Sequence, residues 1–95
     1  MSRKKKWWPT KDPNAVLDYG VLWEPYLNKI TDRITDSVWV VPDGITKSLA
    51  IWTETKTTIW LAGGQAGQIY KITNRITTQN GRVLDQVVHL PVREH

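Results

Sequence analysis

The chain has no cysteine and no phenylalanine, one methionine and two histidines. Without cysteine there is no disulfide staple and no thiolate chemistry, which fits a reducing compartment. His89 and His95 occupy unlike positions, and two imidazoles without a thiolate argue against a zinc site. No apolar run approaches the ~18 residues that a membrane-spanning helix needs. The basic start, Arg3-Lys4-Lys5-Lys6, is not followed by the apolar core of a secretion signal. Helical periodicity is missing as well.

What remains is a chain of 95 residues, enough for one domain with a modest core. Such a domain buries roughly 60–65% of the surface that its unfolded form exposes. The net charge is +4, but four of the thirteen basic residues sit at positions 3–6, and the other nine balance nine acids. The basic character therefore belongs to a tail. Six tryptophans carry most of the aromatic content, and isoleucine and threonine are abundant, which suits a pleated, half-buried surface.

Residues 57–92 organise the rest. Thr57–Ala62 reads as a strand, with Ile59 and Leu61 inward and Trp60 outward. Gly63–Gly67 is a glycine-rich corner. Ile69–Thr78 alternates almost perfectly, with Tyr70, Ile72, Asn74 and Ile76 on the core face. A buried amide at Asn74 must find partners, and the backbone of a loop is the expected source. Asn80-Gly81 predicts a two-residue type I′ hairpin, because both residues tolerate positive φ. Val83–Val92 returns with Leu84, Val88, Leu90 and Val92 inward, Gln86 at a bulge or edge, and Pro91 marking an edge.

Upstream, Tyr19, Val21 and Trp23 share one face of a strand that ends at Glu24-Pro25. Asn28–Arg33 reads as a polar loop. In Ile34–Val41, Trp39 is the candidate central aromatic, with Val38 and Val40 on the opposite face. Pro42-Asp43-Gly44 is a turn. Thr46–Thr53 is a further strand, with Leu49 and Ile51 assigned inward and Ala50 and Trp52 outward.

About six or seven short strands with regular turns predict an all-β fold: an antiparallel immunoglobulin- or fibronectin-like β-sandwich. Tyr70, just after the glycine corner, fits a tyrosine corner, whose hydroxyl bonds back to the preceding loop. The sandwich spans residues 12–95. Residues 1–11 form an extended, basic, tryptophan-bearing arm, in which Trp7-Trp8 are costly to leave in water and are expected to land on this domain or a neighbour. Removing residues 1–8 is expected to leave the domain folded and weaken assembly.

These residues resemble a known family. The series Leu17-Asp18-Tyr19-Gly20 with Trp23, then Ile34, Ser37, Trp39, Val41-Pro42 and Gly44, is followed by Thr58, Trp60-Leu61, Gly63-Gly64, Gly67, Tyr70, Ile72, Asn74, Ile76-Thr77-Thr78 and Gly81-Arg82. It is similar to the fiber–tail adaptor proteins of tailed bacteriophages over about residues 12–92. The sequence departs from that pattern at Leu22, where the family often has Asp, and the Trp7-Trp8 arm lies outside it. The resemblance implies a virion structural protein of the neck or tail, present in the host cytoplasm before assembly. Its implied partners are the connector or neck ring and the tail fibre, with copies arranged as a ring.

The residues themselves leave little room for catalysis. No Ser-His-Asp or paired-carboxylate arrangement is suggested, and Gly63-Gly64-x-x-Gly67 precedes a strand, so it is a corner and not a phosphate loop. No cofactor is implied. Lysines beside tryptophans could contact nucleic acid, yet the domain itself is neutral, which argues against it. Two readings carry the exposed tryptophans: an adaptor surface covered by another chain, or a carbohydrate-binding module with rings stacked on sugar. For either, the candidate contact residues are Lys4, Lys5, Lys6, Trp7, Trp8, Trp52 and Trp60.

Overall fold

Strict alternation makes Ile69–Thr78 the longest strand, and its apolar face sets where the other elements pack. The computed structural model describes residues 6–94. Its elements are β1 (Lys6–Trp7), β2 (Leu17–Leu22), α1 (Glu24–Lys29), β3 (Ile34–Val40), β4 (Ile45–Trp52), β5 (Lys56–Gly63), β6 (Ile69–Thr78) and β7 (Val83–Pro91). They form two sheets, ordered β1-β7-β6-β3 and β2-β5-β4. The fold is therefore all-β with one short helix.

The core lies between the sheets. Tyr19, Val21, Ile59 and Leu61 from one sheet meet Trp39, Ile72, Ile76, Val88 and Leu90 from the other. This is the alternation read from the sequence. At one end Leu27 of α1 is fully buried and closes the core. The sequence reading has no helix here. At six residues α1 is too short to show a period, but its chemistry is consistent: Pro25 stands in the first turn, where its missing N–H costs nothing, with Glu24 there and Lys29 in the last turn.

The turns show where local signals gave way. Of the loop between β6 and β7 only Gly81 has positive φ (+85°), so the type I′ turn does not form. Thr78 N–H donates to Arg82 O (2.8 Å) and Gly81 N–H to Thr78 O (3.0 Å), giving a three-residue loop closed by a left-handed glycine. Gln86 is not at a bulge: the β6–β7 register runs unbroken from Ile69↔Pro91 to Thr77↔Val83, with Gln86 opposite Asn74. Nor is Pro91 at a free edge, since its carbonyl accepts the N–H of Lys11 (2.9 Å). The glycine corner is as expected. Tyr70 Oη accepts the N–H of Gln65 (2.9 Å), and its ring lies against Gly44, whose φ of +97° and missing Cβ leave the space.

Strand β4 departs furthest. Lys47 pairs with Leu61 but Ala50 pairs with Ile59, so three residues of β4 span two of β5. This bulge inverts the alternation beyond it. Ala50 and Trp52 take the register of the inward residues Ile59 and Thr57, and Ile51, assigned inward from its spacing, is turned out and 54% exposed. Leu49, within the bulge, is exposed too.

Asn74 is fully buried at the centre of the inner face. Its Oδ1 accepts from Trp23 Nε1 (3.0 Å) and Thr57 Oγ1 (2.7 Å). Its Nδ2 donates to Ser37 Oγ (3.0 Å) and Val38 O (3.2 Å). The partners are thus mostly side chains from both sheets, and not the loop backbone expected from the sequence. Replacing Asn74 by leucine strands the indole N–H and the Thr57 hydroxyl in the core, at about 1–3 kcal/mol each. Asn74→Leu is expected to lower unfolding free energy in urea by roughly 3 kcal/mol or more, and Thr57→Val in that background to cost less than in the parent.

Candidate interaction surface

The arm is built into the domain from Lys6 onward. β1 pairs in parallel with β7, matching Lys6 to Val88 and Trp7 to His89. Trp8 N–H donates to His89 O (3.0 Å), Lys11 N–H to Pro91 O (2.9 Å), and Arg93 N–H to Lys11 O (2.9 Å). Trp8 turns toward the other sheet. Its ring stacks on Tyr19 (4.7 Å, 26°), lies 6.0 Å from Trp39, and its Nε1 donates to Gly20 O (3.2 Å). The segment therefore fills the side of the sandwich between β7 and β2.

Lys11 completes that seal. Its side chain is fully buried, and Nζ donates to Asp12 O and Gly63 O, both at 2.8 Å. Burial pulls its pKa below the usual lysine value, and the charge of Asp12 partly opposes this. No sequence signal marks Lys11, because a lone lysine in a polar segment reads as solvated.

The expected contact residues now separate. Lys4 and Lys5 lie outside the described residues. Lys6 is exposed, and Trp7 is 53% exposed beside His89 (4.9 Å between ring centroids). Trp8 is half-buried and packs against the core through Tyr19 and Trp39. Trp60 is 36% exposed and faces outward beside Asp18, as expected. Trp52 is 44% exposed, but its register with Thr57 puts it on the opposite face of the sheet from Trp60. These two rings cannot form one coplanar platform.

The side of the sandwich opposite the arm is open. Its edges are β3 and β4, linked by Lys47 Nζ donating to Trp39 O (2.9 Å). Between them lies a cleft of about 310 Å³ lined by Ser37, Val38, Trp39, Lys47, Ser48, Ala50 and Ile59. Trp39 is 3% exposed, and among the described residues its Nε1 has no hydrogen-bond partner. Val38, Val40, Leu49 and Ile51 are exposed along the two flanking strands.

A second concavity, about 440 Å³, lies near α1 and includes Asp32, Arg33 and Glu54. Its charges hold structure together. Asp32, whose side chain is buried, accepts from Arg33 N (2.9 Å), Asn80 N (3.2 Å) and Arg82 Nη1 (2.8 Å). Arg33 pairs with Glu54 (2.8 Å). Burial alone would raise the pKa of Asp32, but hydrogen bonds from Thr78, Arg33, Arg82 and Asn80 outweigh it and hold it at about 2. Among the described residues no three metal-ligating side chains stand together.

Fold and surface define a small, two-sheet, all-β domain with exposed aromatic rings on both faces of its β2-β5-β4 sheet and on its N-terminal strand. A family model described as podophage GP4 fiber-tail adaptor protein gp77 matches residues 11–91, and the chain belongs to this family of phage structural proteins. Comparison with the curated proteins gave no match.

Three outcomes follow. Trp8→Ala removes the stack on Tyr19 and is expected to cost roughly 2 kcal/mol of stability in denaturant unfolding. Deletion of residues 1–8 is accordingly expected to lower the melting temperature, an effect on the domain itself beside the weakened assembly expected from the sequence. Asp32 has a folded pKa below its unfolded value of about 3.9, so the stability it adds is complete above that value and is lost as pH falls toward 2. Melting temperature in that window should fall less steeply in Asp32→Asn than in the parent, with the variant less stable at neutral pH.

Proposed function

We propose that this chain is a non-enzymatic protein of the phage neck or tail, an adaptor joining fibres or other tail parts to the head–tail connector. The observation that carries the reading is the family match over residues 11–91. Exposed aromatic and strand-edge surface on a rigid domain supports it, because an adaptor works by holding surfaces in fixed relation.

The domain is an immunoglobulin-like sandwich in this reading. Strands β2-β5-β4 and β3-β6-β7 follow the orders B-E-D and C-F-G of that fold, and the Tyr70–Gln65 bond has the position of a tyrosine corner. Copies form a closed ring with head-to-tail contacts about the tail axis. The protein accumulates in the host cytoplasm and joins the virion at assembly. Lys6 and Trp7, with Trp52 and Trp60, are the described residues that meet partners; Lys4 and Lys5 precede them in the sequence.

The test is localisation in purified particles. Antibody-gold labelling and peptide mass spectrometry of intact virions should find the chain at the neck or tail. Its absence from particles, or label confined to the capsid shell, would overturn the proposal.

A further inference from the structure

We propose that the open β3 edge, with the Trp39 cleft behind it, is the receiving half of a contact between copies, and that its occupant is the arm face (Lys6 and Trp7) of a second copy. The inference rests on the ring reading above and names the surfaces through which the ring closes.

Topology supplies the first argument. The four-stranded sheet has two ends, β1 and β3. β1 runs parallel to β7, β7 antiparallel to β6, and β6 antiparallel to β3, so β1 and β3 run in the same direction. A neighbour related by rotation about an axis along the strands brings its β1 beside β3 and continues the sheet with parallel pairing. A contact of this kind is head-to-tail and leaves one free end of each type.

The edge itself supplies the second. Natural edges are guarded by lysine, proline or covering chain. The arm covers the β7/β2 side in this way, with Trp8 Nε1 taking the Gly20 carbonyl. β3 has no lysine or proline of its own, exposes Val38 and Val40, and as a strand pairs only with β6 among the described residues; Lys47 Nζ caps its Trp39 carbonyl (2.9 Å) and Glu54 O takes its Ile34 N–H (2.9 Å), so a docking strand meets the stretch between these two points.

Charge and apolar exposure agree. β3 carries Asp36 and no basic residue, with Asp43 in the turn that follows, whereas the arm presents Lys6 next to Arg3-Lys4-Lys5 in the sequence. Val38 and Val40 are about half exposed on the outer face of β3 beside this edge, apolar surface that a docked strand and its side chains cover.

The test uses the full chain in sedimentation velocity over a concentration series. The parent should associate beyond dimer. Val40→Lys, on the receiving edge, and Trp7→Ala, on the arm, should each weaken association by about tenfold or more, with melting curves confirming that each is folded. Val38→Lys serves if Val40→Lys does not fold. The two variants mixed in equal amounts should form dimers and nothing larger, because each pair retains one intact contact. A parent that stays monomeric, association that Val40→Lys and Val38→Lys leave unchanged, or a mixture that does not reassociate would each overturn the contact. A chain found in the tail but indifferent to these substitutions removes the contact and leaves the adaptor role standing. Intact head-to-tail association in a chain absent from particles removes the role alone.

Discussion

A single carboxamide fastens the two sheets. Asn74 offers two donors and an acceptor oxygen with two lone pairs on one short side chain, and here all four bonds are made, those to Trp23 and Thr57 fully buried and those to Ser37 and Val38 partly so. The Trp23 indole and the Thr57 hydroxyl arrive from the chain around the β2-β5-β4 sheet, and Ser37 and Val38 from β3. No apolar residue could meet these groups, and leaving any of them unpaired in a low-dielectric core is costly. Relative position of the sheets is therefore specified by direction as well as by packing. Hydrophobic contact between Ile59, Leu61, Ile72 and Ile76 would tolerate sliding, whereas this network tolerates very little.

With the sheets fixed, the two sides of the sandwich acquire different characters. One is closed by the arm, through main-chain pairing to β7, the Trp8–Tyr19 stack and the buried Lys11 ammonium. The other keeps its edges β3 and β4 uncovered. The asymmetry gives the domain a direction, which is the property a head-to-tail assembly requires. The bulge in β4 contributes in the same sense. Regular pairing would have buried Leu49 and Ile51; one additional residue sends them to the surface, at a cost in core area that the folded domain alone does not explain.

The residues that sequence reasoning placed well share one property: neighbours in the chain define their environment. The alternation in β6 identified its inward set, the glycines identified the corner, and Tyr70 identified the bond back to that corner. Where a distant segment decides, the reading failed. For Trp8 the sequence left two landing places open, this domain or a neighbour, and only the fold brings Tyr19 and Trp39 within its reach. Lys11 resembled a solvated cation until the Gly63 carbonyl met it. Spacing assigns Trp52 outward like Trp60, and the bulge in β4 puts the two on opposite faces of the sheet. The hairpin at Asn80-Gly81 took a longer loop because the Thr78–Arg82 pairing and the Asp32 carboxylate, which binds Asn80 N–H and Arg82, hold that loop from outside it.

By itself the sequence determined the six longer strands, the inward sets of β2, β3, β5 and β6, and the family, because period-two alternation and turn residues act over a few bonds and survive without a partner. Tertiary structure alone decided which side of the sandwich is sealed, which way β4 faces beyond its bulge, and what satisfies Asn74. Those outcomes depend on hydrogen-bond register and burial between segments remote in the chain, and period-two spacing cannot encode an inserted residue whose effect exists only against the strand beside it.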